Sequence, residues 1–383
     1  VLEITHYDLQ VDLMKVGVPF QGTAKLQLKN AHEASLDTLI FSLNPGLVLK
    51  AIRGENGEEI PVVREESVIK AVPTAALAPG AERTVAFVYE GDIDRDGFDL
   101  KRADRNARLK KNSRNGPPMH KGDLTAWIRE DTAFLPPRSR WYPVTGVDYG
   151  YGEEGRSQSF ATADIAVSVP AGLEVITQGK PEHQEQASGR FQGRWKVEIP
   201  VPVFSLNAGK YQVYKKQIYG IECAVYVHPS HKRQVEFFAD AEEQVTEALE
   251  QLLDAVVNES TMPYPYSQLS LVEVPFQVQW YYEGWEEAGG LTQPGVLMIE
   301  EDVLLQRRFN RDFKRFQQRS RGNRDPNQTK KDLLVRAIFD VFFGTEGRRG
   351  GLYRSPVVQL WSFNRDFQGE HHSLMKRGLP LYM

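Results

Sequence analysis

The segment 333–344 has the spacing of a zinc-binding helix, but its side chains lack zinc-binding chemistry. In such a helix, His residues at i and i+4 share one face and bind the metal, and a Glu beside the first His activates water. Here Arg336 and Asp340 occupy the two His positions, and Ala337 occupies the Glu position. A guanidinium has only N–H donors and offers no lone pair to a metal. We therefore expect neither a zinc ion nor a general base at this helix.

The elements that would position such a helix begin with a long β region. Alternation of apolar and polar residues with period two predicts strands at 7–13, 24–29, 84–89 and 161–170. Gly and Pro separate these runs at intervals that are typical of a sandwich. Residues 97–122 are rich in Lys, Arg, Asn and Gly, and we expect an exposed loop there. Residues 1–208 are therefore predicted to form an N-terminal antiparallel β-sandwich domain.

The remaining residues, 209–383, mix the two kinds of periodicity. Strands are predicted at 221–227 and 269–275, and helical spacing of apolar residues predicts helices at 232–257, 302–318 and 331–343. A chain of 383 residues also exceeds the size at which a single core usually splits. We therefore expect a second domain of α/β or α+β type.

The composition of the chain argues against some classes of function. The formal net charge of −4 argues against general nucleic-acid binding. No apolar run is long enough for a membrane-spanning helix, and no signal peptide is visible. The single cysteine, Cys223, excludes an internal disulfide, and its strand-like surroundings indicate a buried structural thiol.

Seven segments resemble the aminopeptidase-N-like family of zinc metallopeptidases, and they occur in the family's order. They include the Trp-Tyr-Pro signal of the β domain, the strands that follow it, the exopeptidase motif and two helices that carry the family's zinc ligands. The matching residues are 139–143, 160–164 with 169–173, 202–211, 263–266 with 271–275, 289–295, 333–344 and 374–383. The resemblance implies an α+β chain, in which the N-terminal antiparallel β sandwich is followed by a partial thermolysin-like α/β domain.

The same resemblance implies that the family's functional positions are substituted. The third zinc ligand corresponds to Arg377, and the interval from Asp340 to Arg377 is longer than in the family. In the exopeptidase motif, Thr292 stands where the family has the Glu that holds the substrate amine, and Gln293 stands where it has Asn. We expect no catalytic residue, no metal and no cofactor. The degenerate substrate-binding motif comprises Gly289, Gly290, Leu291, Thr292 and Gln293.

These substitutions predict a non-catalytic, peptidase-like protein that acts in binding or scaffolding. The stretch 285–295 resembles peptidase-like domains attached to bacterial ABC transporter permeases. That resemblance implies an extracytoplasmic location in a membrane transport complex, with a permease, another protein or a peptide-like ligand as partner. One alternative is an active metallo-aminopeptidase with a displaced or complemented zinc site. Another is a scaffold subunit of a transcription complex, similar to the inactive aminopeptidase-like subunit of a general transcription factor.

A basic segment offers a second candidate contact surface. Its cations are candidates for contact with anionic lipid head groups or an acidic partner, and the alternative is that they are simply solvated. The residues are Arg307, Arg308, Arg311, Lys314 and Arg315.

Arg336 and Asp340 are helix neighbours at i and i+4, so they can form an ion pair. We hypothesise that Arg377 joins them and that an Arg-Asp-Arg cluster fills the former zinc cavity. Replacing Asp340 by Ala would then leave a buried cation unpaired and lower the free energy of unfolding by about 3–5 kcal/mol. Urea unfolding of the full chain measures this change. A negligible shift would show that these charges face solvent.

Overall fold

The computed structural model describes residues 2–15, 17–93, 126–146, 159–229, 250, 266–274 and 290–300. The chain divides into two compact units, Val1–Lys210 and Tyr211–Met383. Each unit is described separately below.

Unit 1 contains fifteen described strands and one 3-10 turn at Pro137–Ser139. The strands are β1 (Leu2–Lys15), β2 (Val18–Asn30), β3 (Leu39–Ser42), β4 (Leu47–Gly54), β5 (Val62–Glu65), β6 (Val68–Ala71), β7 (Glu82–Gly91), β8 (Trp127–Ile128), β9 (Thr132–Leu135), β10 (Val144–Thr145), β11 (Ala161–Pro170), β12 (Glu174–Thr177), β13 (Lys180–Ala187), β14 (Arg190–Val201) and β15 (Leu206–Gly209). The four strands that the sequence predicted in this region, at 7–13, 24–29, 84–89 and 161–170, are confirmed by β1, β2, β7 and β11.

These strands form three sheets. The first has seven strands in the order β13-β14-β11-β1-β2-β7-β4, and two four-stranded sheets have the orders β10-β3-β6-β5 and β12-β15-β9-β8. The expectation of purely antiparallel pairing is wrong at one place, because β1 and β11 run parallel with His6 opposite Thr162. Parallel partners need a long connection between them, and strand periodicity carries no information about such distant pairing.

One face of the seven-stranded sheet supplies much of the core. Along β2 the side chains of Ala24, Leu26 and Leu28 are fully buried, while the intervening polar residues are exposed. Phe41 of β3 and Phe87 of β7 meet edge to face with ring centroids 5.0 Å apart. This contact packs the sheet that contains β3 against the seven-stranded sheet.

The Trp-Tyr-Pro segment has a structural role in unit 1. Trp141 donates its indole N–H to the carbonyl of Phe204 at 3.3 Å, and the Phe204 amide donates to the Tyr142 hydroxyl at 3.0 Å. Tyr7 donates to the carbonyl of Pro143 at 3.2 Å and packs edge to face on Tyr142 with ring centroids 5.5 Å apart. Burial raises the pKa of Tyr142 to about 12, so the hydroxyl stays neutral. The segment therefore ties β1 to the stretch before β15.

Unit 2 contains a five-stranded mixed sheet. Its described strands are β16 (Gln212–Ile218), β17 (Ile221–Val227), β18 (Gln268–Val274), β19 (Gly290–Gln293) and β20 (Val296–Glu300). Their order is β16-β17-β18-β20-β19. The three inner strands β17, β18 and β20 run parallel, and the two outer strands are antiparallel to their neighbours. The strands predicted at 221–227 and 269–275 are confirmed by β17 and β18, the latter within one residue.

The predicted fold class, α+β with a partial thermolysin-like α/β domain, is wrong for the part of the chain that the structure describes. Strands make up 66% of those residues and helices only 2%, so this part is nearly all β. Both faces of β18 are covered, because every residue from Leu269 to Val274 is buried, as in the middle of a parallel sheet. The helices predicted at 232–257, 302–318 and 331–343 lie outside the described residues. Within the described ranges, no helix is both long and apolar enough to cross a membrane.

Two tyrosines provide a matched test of the buried hydrogen bonds in unit 1. Tyr142→Phe removes the acceptor of the Phe204 amide and should lower the free energy of unfolding by about 1–3 kcal/mol. Tyr89 is buried, and its hydroxyl finds no hydrogen-bond partner among the described residues. Tyr89→Phe should therefore be neutral or stabilising. Urea unfolding compares the two variants, and an equal loss in both would contradict this account.

Candidate functional site

The carboxyl ends of three parallel strands meet at one edge of the unit 2 sheet. β17, β18 and β20 point the same way, and open sheets of this kind bind ligands at that edge. Glu273 of β18 lies opposite Ile299 of β20, and Ile299 lies opposite Gly290 of β19. This row of three residues brings Gly290, the second glycine of the predicted substrate-binding motif, into line with a buried carboxylate.

The motif itself forms a hairpin with β20. Gln293 and Val296 are partners, so Pro294 and Gly295 form a two-residue turn. Gly295 has φ +69°, and Pro before a glycine in this conformation is the usual sequence of a type II turn. A Cβ at Gly295 would also lie 3.4 Å from the carbonyl oxygen of Gln268. The turn therefore requires the glycine, whereas the contact with β18 is an ordinary van der Waals contact.

The outer edge of β19 faces away from its partner strand. Among the described strands, β19 is the last in the sheet. Antiparallel pairs alternate between hydrogen-bonded and non-hydrogen-bonded partners, and Gln293 and Val296 form the bonded pair beside the turn. The next pair, Thr292 and Leu297, is then the non-bonded one. It follows that the backbone N–H and C=O of Thr292 point outward, where an extended chain can pair with them.

Glu273 is the buried charge of this site. Its side chain is 3% exposed, and its Oε2 accepts the backbone N–H of His228 at 2.7 Å. The Tyr211 hydroxyl donates to the Glu273 carbonyl oxygen at 3.5 Å. Burial raises the pKa of Tyr211, and the negative charge of Glu273 raises it further. The carboxylate therefore holds the end of β17 against β18 and places a negative charge beside the carboxyl edge.

The structure describes only part of the site that the sequence predicted. Gly290, Leu291, Thr292 and Gln293 form β19, and Gln293 is buried. The residue before them, Gly289, lies outside the described residues. So do the four residues that were predicted to replace catalytic residues of the family, and the basic segment. These residues are Arg336, Ala337, Asp340 and Arg377, together with Arg307, Arg308, Arg311, Lys314 and Arg315.

Sequence reasoning missed Glu273 as a site residue. The available signal was a single acidic residue inside the otherwise apolar run of β18, because a charge in a buried strand needs a dedicated partner. The prediction for Cys223 is confirmed, since the thiol is buried and free. Its burial raises the pKa to about 12, and the nearby charge of Glu222 adds to this shift. Cys223 is therefore an inert thiol at neutral pH.

Zinc does not fit the residues that the sequence resemblance assigns to the family's ligand and general-base positions. Of Arg336, Ala337, Asp340 and Arg377, only Asp340 carries a lone-pair donor. A structural or catalytic zinc site needs three or four such donors. Among the described residues, no group of three or more His, Cys, Asp and Glu side chains is placed to hold a metal ion.

Comparisons with known proteins identify the fold. No family model and no curated protein sequence matches the chain. An M1 zinc metallopeptidase from Deinococcus radiodurans matches 89% of the chain at 14% identity with a TM-score of 0.53. A mutant M1 zinc metallopeptidase from this organism, bound to a Tyr-Ser-Ala substrate, matches 98% of the chain at 16% identity with a TM-score of 0.54. The chain thus has an aminopeptidase-like fold.

The chain covers only part of the length of each similar metallopeptidase. The chain spans 64% of the first of these metallopeptidases and 73% of the second. At such low identity the likeness concerns the fold alone, and the chemistry must be argued from the residues of this chain.

The contact between Glu273 and His228 is open to a direct stability test. Glu273→Ala removes a charged acceptor from a backbone N–H and should lower the free energy of unfolding by about 1.5–3 kcal/mol. Glu273→Gln keeps an oxygen acceptor and should lose less than the Ala variant. Urea unfolding of the full chain measures both. If the Gln variant lost as much as the Ala variant, the hydrogen bond would not be the source of the stability.

Proposed function

We propose that this chain is a non-catalytic, aminopeptidase-like protein that binds an extended peptide segment along the outer edge of β19, the last of the described strands in its sheet. The observation that carries this proposal is the placement of the degenerate exopeptidase motif on an edge strand with outward backbone groups. Main-chain pairing of this kind supplies affinity without any catalytic side chain. The aminopeptidase-like fold supports a peptide as the ligand class.

The substituted side chains support binding in place of hydrolysis. Hydrolysis in this family requires an activated water on a metal, and the ligand positions hold two arginines that cannot coordinate one. Ala337 stands at the general-base position, and a methyl group cannot accept a proton. A peptide bound on β19 would therefore remain intact.

The motif also indicates which peptides would bind. Thr292 stands where a carboxylate would hold the free amine of a peptide, and a hydroxyl cannot neutralise an ammonium group. The edge of β19 would then bind the backbone of the ligand and would not depend on its N-terminus. A capped peptide should bind as well as a free one.

The resemblance of residues 285–295 to domains attached to ABC transporter permeases supports a proposal about the location and the partner of the protein. We propose that the protein works outside the cytoplasm as part of a membrane transport complex, with the permease as its partner. Flanking gene sequence that encodes transmembrane segments would support this context, and a coding sequence without them would contradict it.

Absence of catalysis is tested by metal content and turnover. Purified protein should contain far less than one zinc per chain by atomic spectroscopy and should release no fluorophore from a fluorogenic amino-acid amide. Addition of zinc should not create activity, because the arginines still occupy the ligand positions. Stoichiometric zinc together with chelator-sensitive turnover would overturn the proposal in favour of an active aminopeptidase.

Peptide binding on β19 is tested with Tyr-Ser-Ala, the peptide bound by one of the similar metallopeptidases. Thr292→Pro removes one outward N–H while leaving the ladder to β20 intact, because edge strands tolerate Pro there. Calorimetry should show at least about fivefold weaker binding, in keeping with the loss of one hydrogen bond. Thr292→Val keeps the N–H and should bind normally. The acetylated and amidated tripeptide should bind the native protein with similar affinity. Equal binding by the Pro and Val variants would exclude β19 as the docking edge.

A further inference from the structure

A second candidate contact surface lies in unit 1, at the outer edge of β5. Among the described strands β5 is the last in its sheet, and it pairs there with β6. Val62 and Val63 are 38% and 56% exposed. Because neighbouring side chains of a strand point to opposite faces, β5 is accessible from both faces. An apolar edge strand that is open to solvent is a template for pairing with another chain.

The pairing with β6 determines which backbone groups of β5 face outward. Val72 donates its N–H to the Pro61 carbonyl oxygen at 2.9 Å, so Val63, two residues further along, also bonds to β6. Val62 and Arg64 alternate with these bonded positions, and their backbone N–H and C=O therefore point away from β6. Among the described residues, these outward groups have no backbone partner.

Pro61 marks the start of the uncovered edge. Before it, Ile60 donates its N–H to the carbonyl oxygen of Ile52 at 2.8 Å, so the segment that leads into β5 is paired with β4. After it, the pairing with β4 ends. The guanidinium of Arg64 donates to the carbonyl oxygen of Asn44 at 2.7 Å and holds β5 in position. The uncovered edge is therefore short and fixed by the fold.

Further exposed apolar side chains extend this surface across the outer face of the sheet. Ile40 lies opposite Lys70, and Lys70 lies opposite Val63. Directly opposed residues project from the same face, and Val72 joins them because it follows Lys70 by two positions. Ile40 is 38% exposed and Val72 is 46% exposed. A strand that is added to β5 would place its own apolar side chains beside Val63 on this face.

Acidic residues at both ends of β5 define the chemistry of a partner. Glu58 and Glu59 precede the strand, Glu65 is its last residue, and Glu66 follows it. All four side chains are exposed. Lys70 pairs with Glu65 at 3.2 Å, which leaves an excess of negative charge at both ends. This charge attracts a segment that carries cations around an apolar centre, whereas a second copy of the chain would bring like charges together.

We propose that the outer edge of β5 is a docking site for an extended segment of another protein, with an apolar centre and Lys or Arg at both ends. The segment pairs with the outward backbone groups of Val62 and Arg64, and its apolar side chains pack beside Val63. The glutamates hold its cations and also keep β5 from pairing with β5 of a second copy. This site belongs to unit 1 and does not depend on peptide binding on β19.

The probe is the capped peptide Lys-Lys-Thr-Val-Thr-Val-Lys-Lys, and the same peptide with Glu in place of each Lys is its control. All proteins in this test carry Thr292→Pro, so that pairing on β19 does not contribute. Calorimetry should detect the lysine peptide and should show at least about tenfold weaker binding of the glutamate peptide. Salt should weaken the binding of the lysine peptide. Failure to detect the lysine peptide, or equal binding of the two peptides, would overturn the proposal.

Two kinds of variant separate strand pairing from general attraction between opposite charges. Val62→Pro removes an outward N–H and leaves the ladder to β6 intact, so it should weaken binding of the lysine peptide by at least about fivefold. Val62→Thr keeps the N–H and should bind normally. The double variant Glu59→Gln and Glu66→Gln should also weaken binding, because it removes charge from both ends. Equal binding by the Pro and Thr variants would exclude β5 as the docking edge.

Stability and oligomeric state distinguish the remaining explanations. Because the Val62 N–H has no backbone partner among the described residues, the urea midpoints of Val62→Pro and Val62→Thr should agree. A drop confined to the Pro variant would mean that the protein itself uses this N–H, and would overturn the proposal. Sedimentation should show the same oligomeric state for the native chain and Val62→Pro. A dimer that is lost in Val62→Pro would mean that a second copy occupies β5, contrary to the proposal.

Discussion

The register between β18 and β20 is the constraint on which the candidate site of unit 2 depends. It places Glu273 opposite Ile299 and thereby in line with Gly290 at the carboxyl edge of the parallel strands. A slip of one residue would turn each side chain of β20 to the other face and would misalign the hairpin that carries β19. The turn at Pro294 and Gly295 then determines which backbone groups of Thr292 face outward. The geometry for pairing with a peptide thus follows from strand pairing alone.

Buried polar groups differ in whether the described residues satisfy their hydrogen bonds. Asn30 and Tyr142 use their hydrogen bonds inside unit 1, and Glu273 accepts the amide of His228 inside unit 2. Asn207 has the same burial and makes no such bond among the described residues. An unpaired buried amide of this kind reduces stability.

The aminopeptidase-like fold and the proposed loss of zinc chemistry concern different levels of structure. A fold is maintained by apolar patterning and backbone pairing, and both tolerate 14–16% identity with the similar metallopeptidases. Zinc hydrolysis depends on a few side chains with lone pairs at fixed spacing, and Arg336 and Arg377 cannot provide them. A chain can therefore keep the scaffold and its substrate edge after the catalytic group has been replaced.

The sequence by itself determined the strands with clear alternation and the buried state of Cys223. These features are local, because period-two alternation and side-chain chemistry are read without knowing which segments meet. Only the tertiary structure decided the parallel pairing of β1 with β11 and the absence of a hydrogen-bond partner for the Asn207 amide among the described residues. Each of these depends on contacts between residues far apart in the chain. Local periodicity cannot specify such contacts, since many pairings of the same strands bury the same apolar faces.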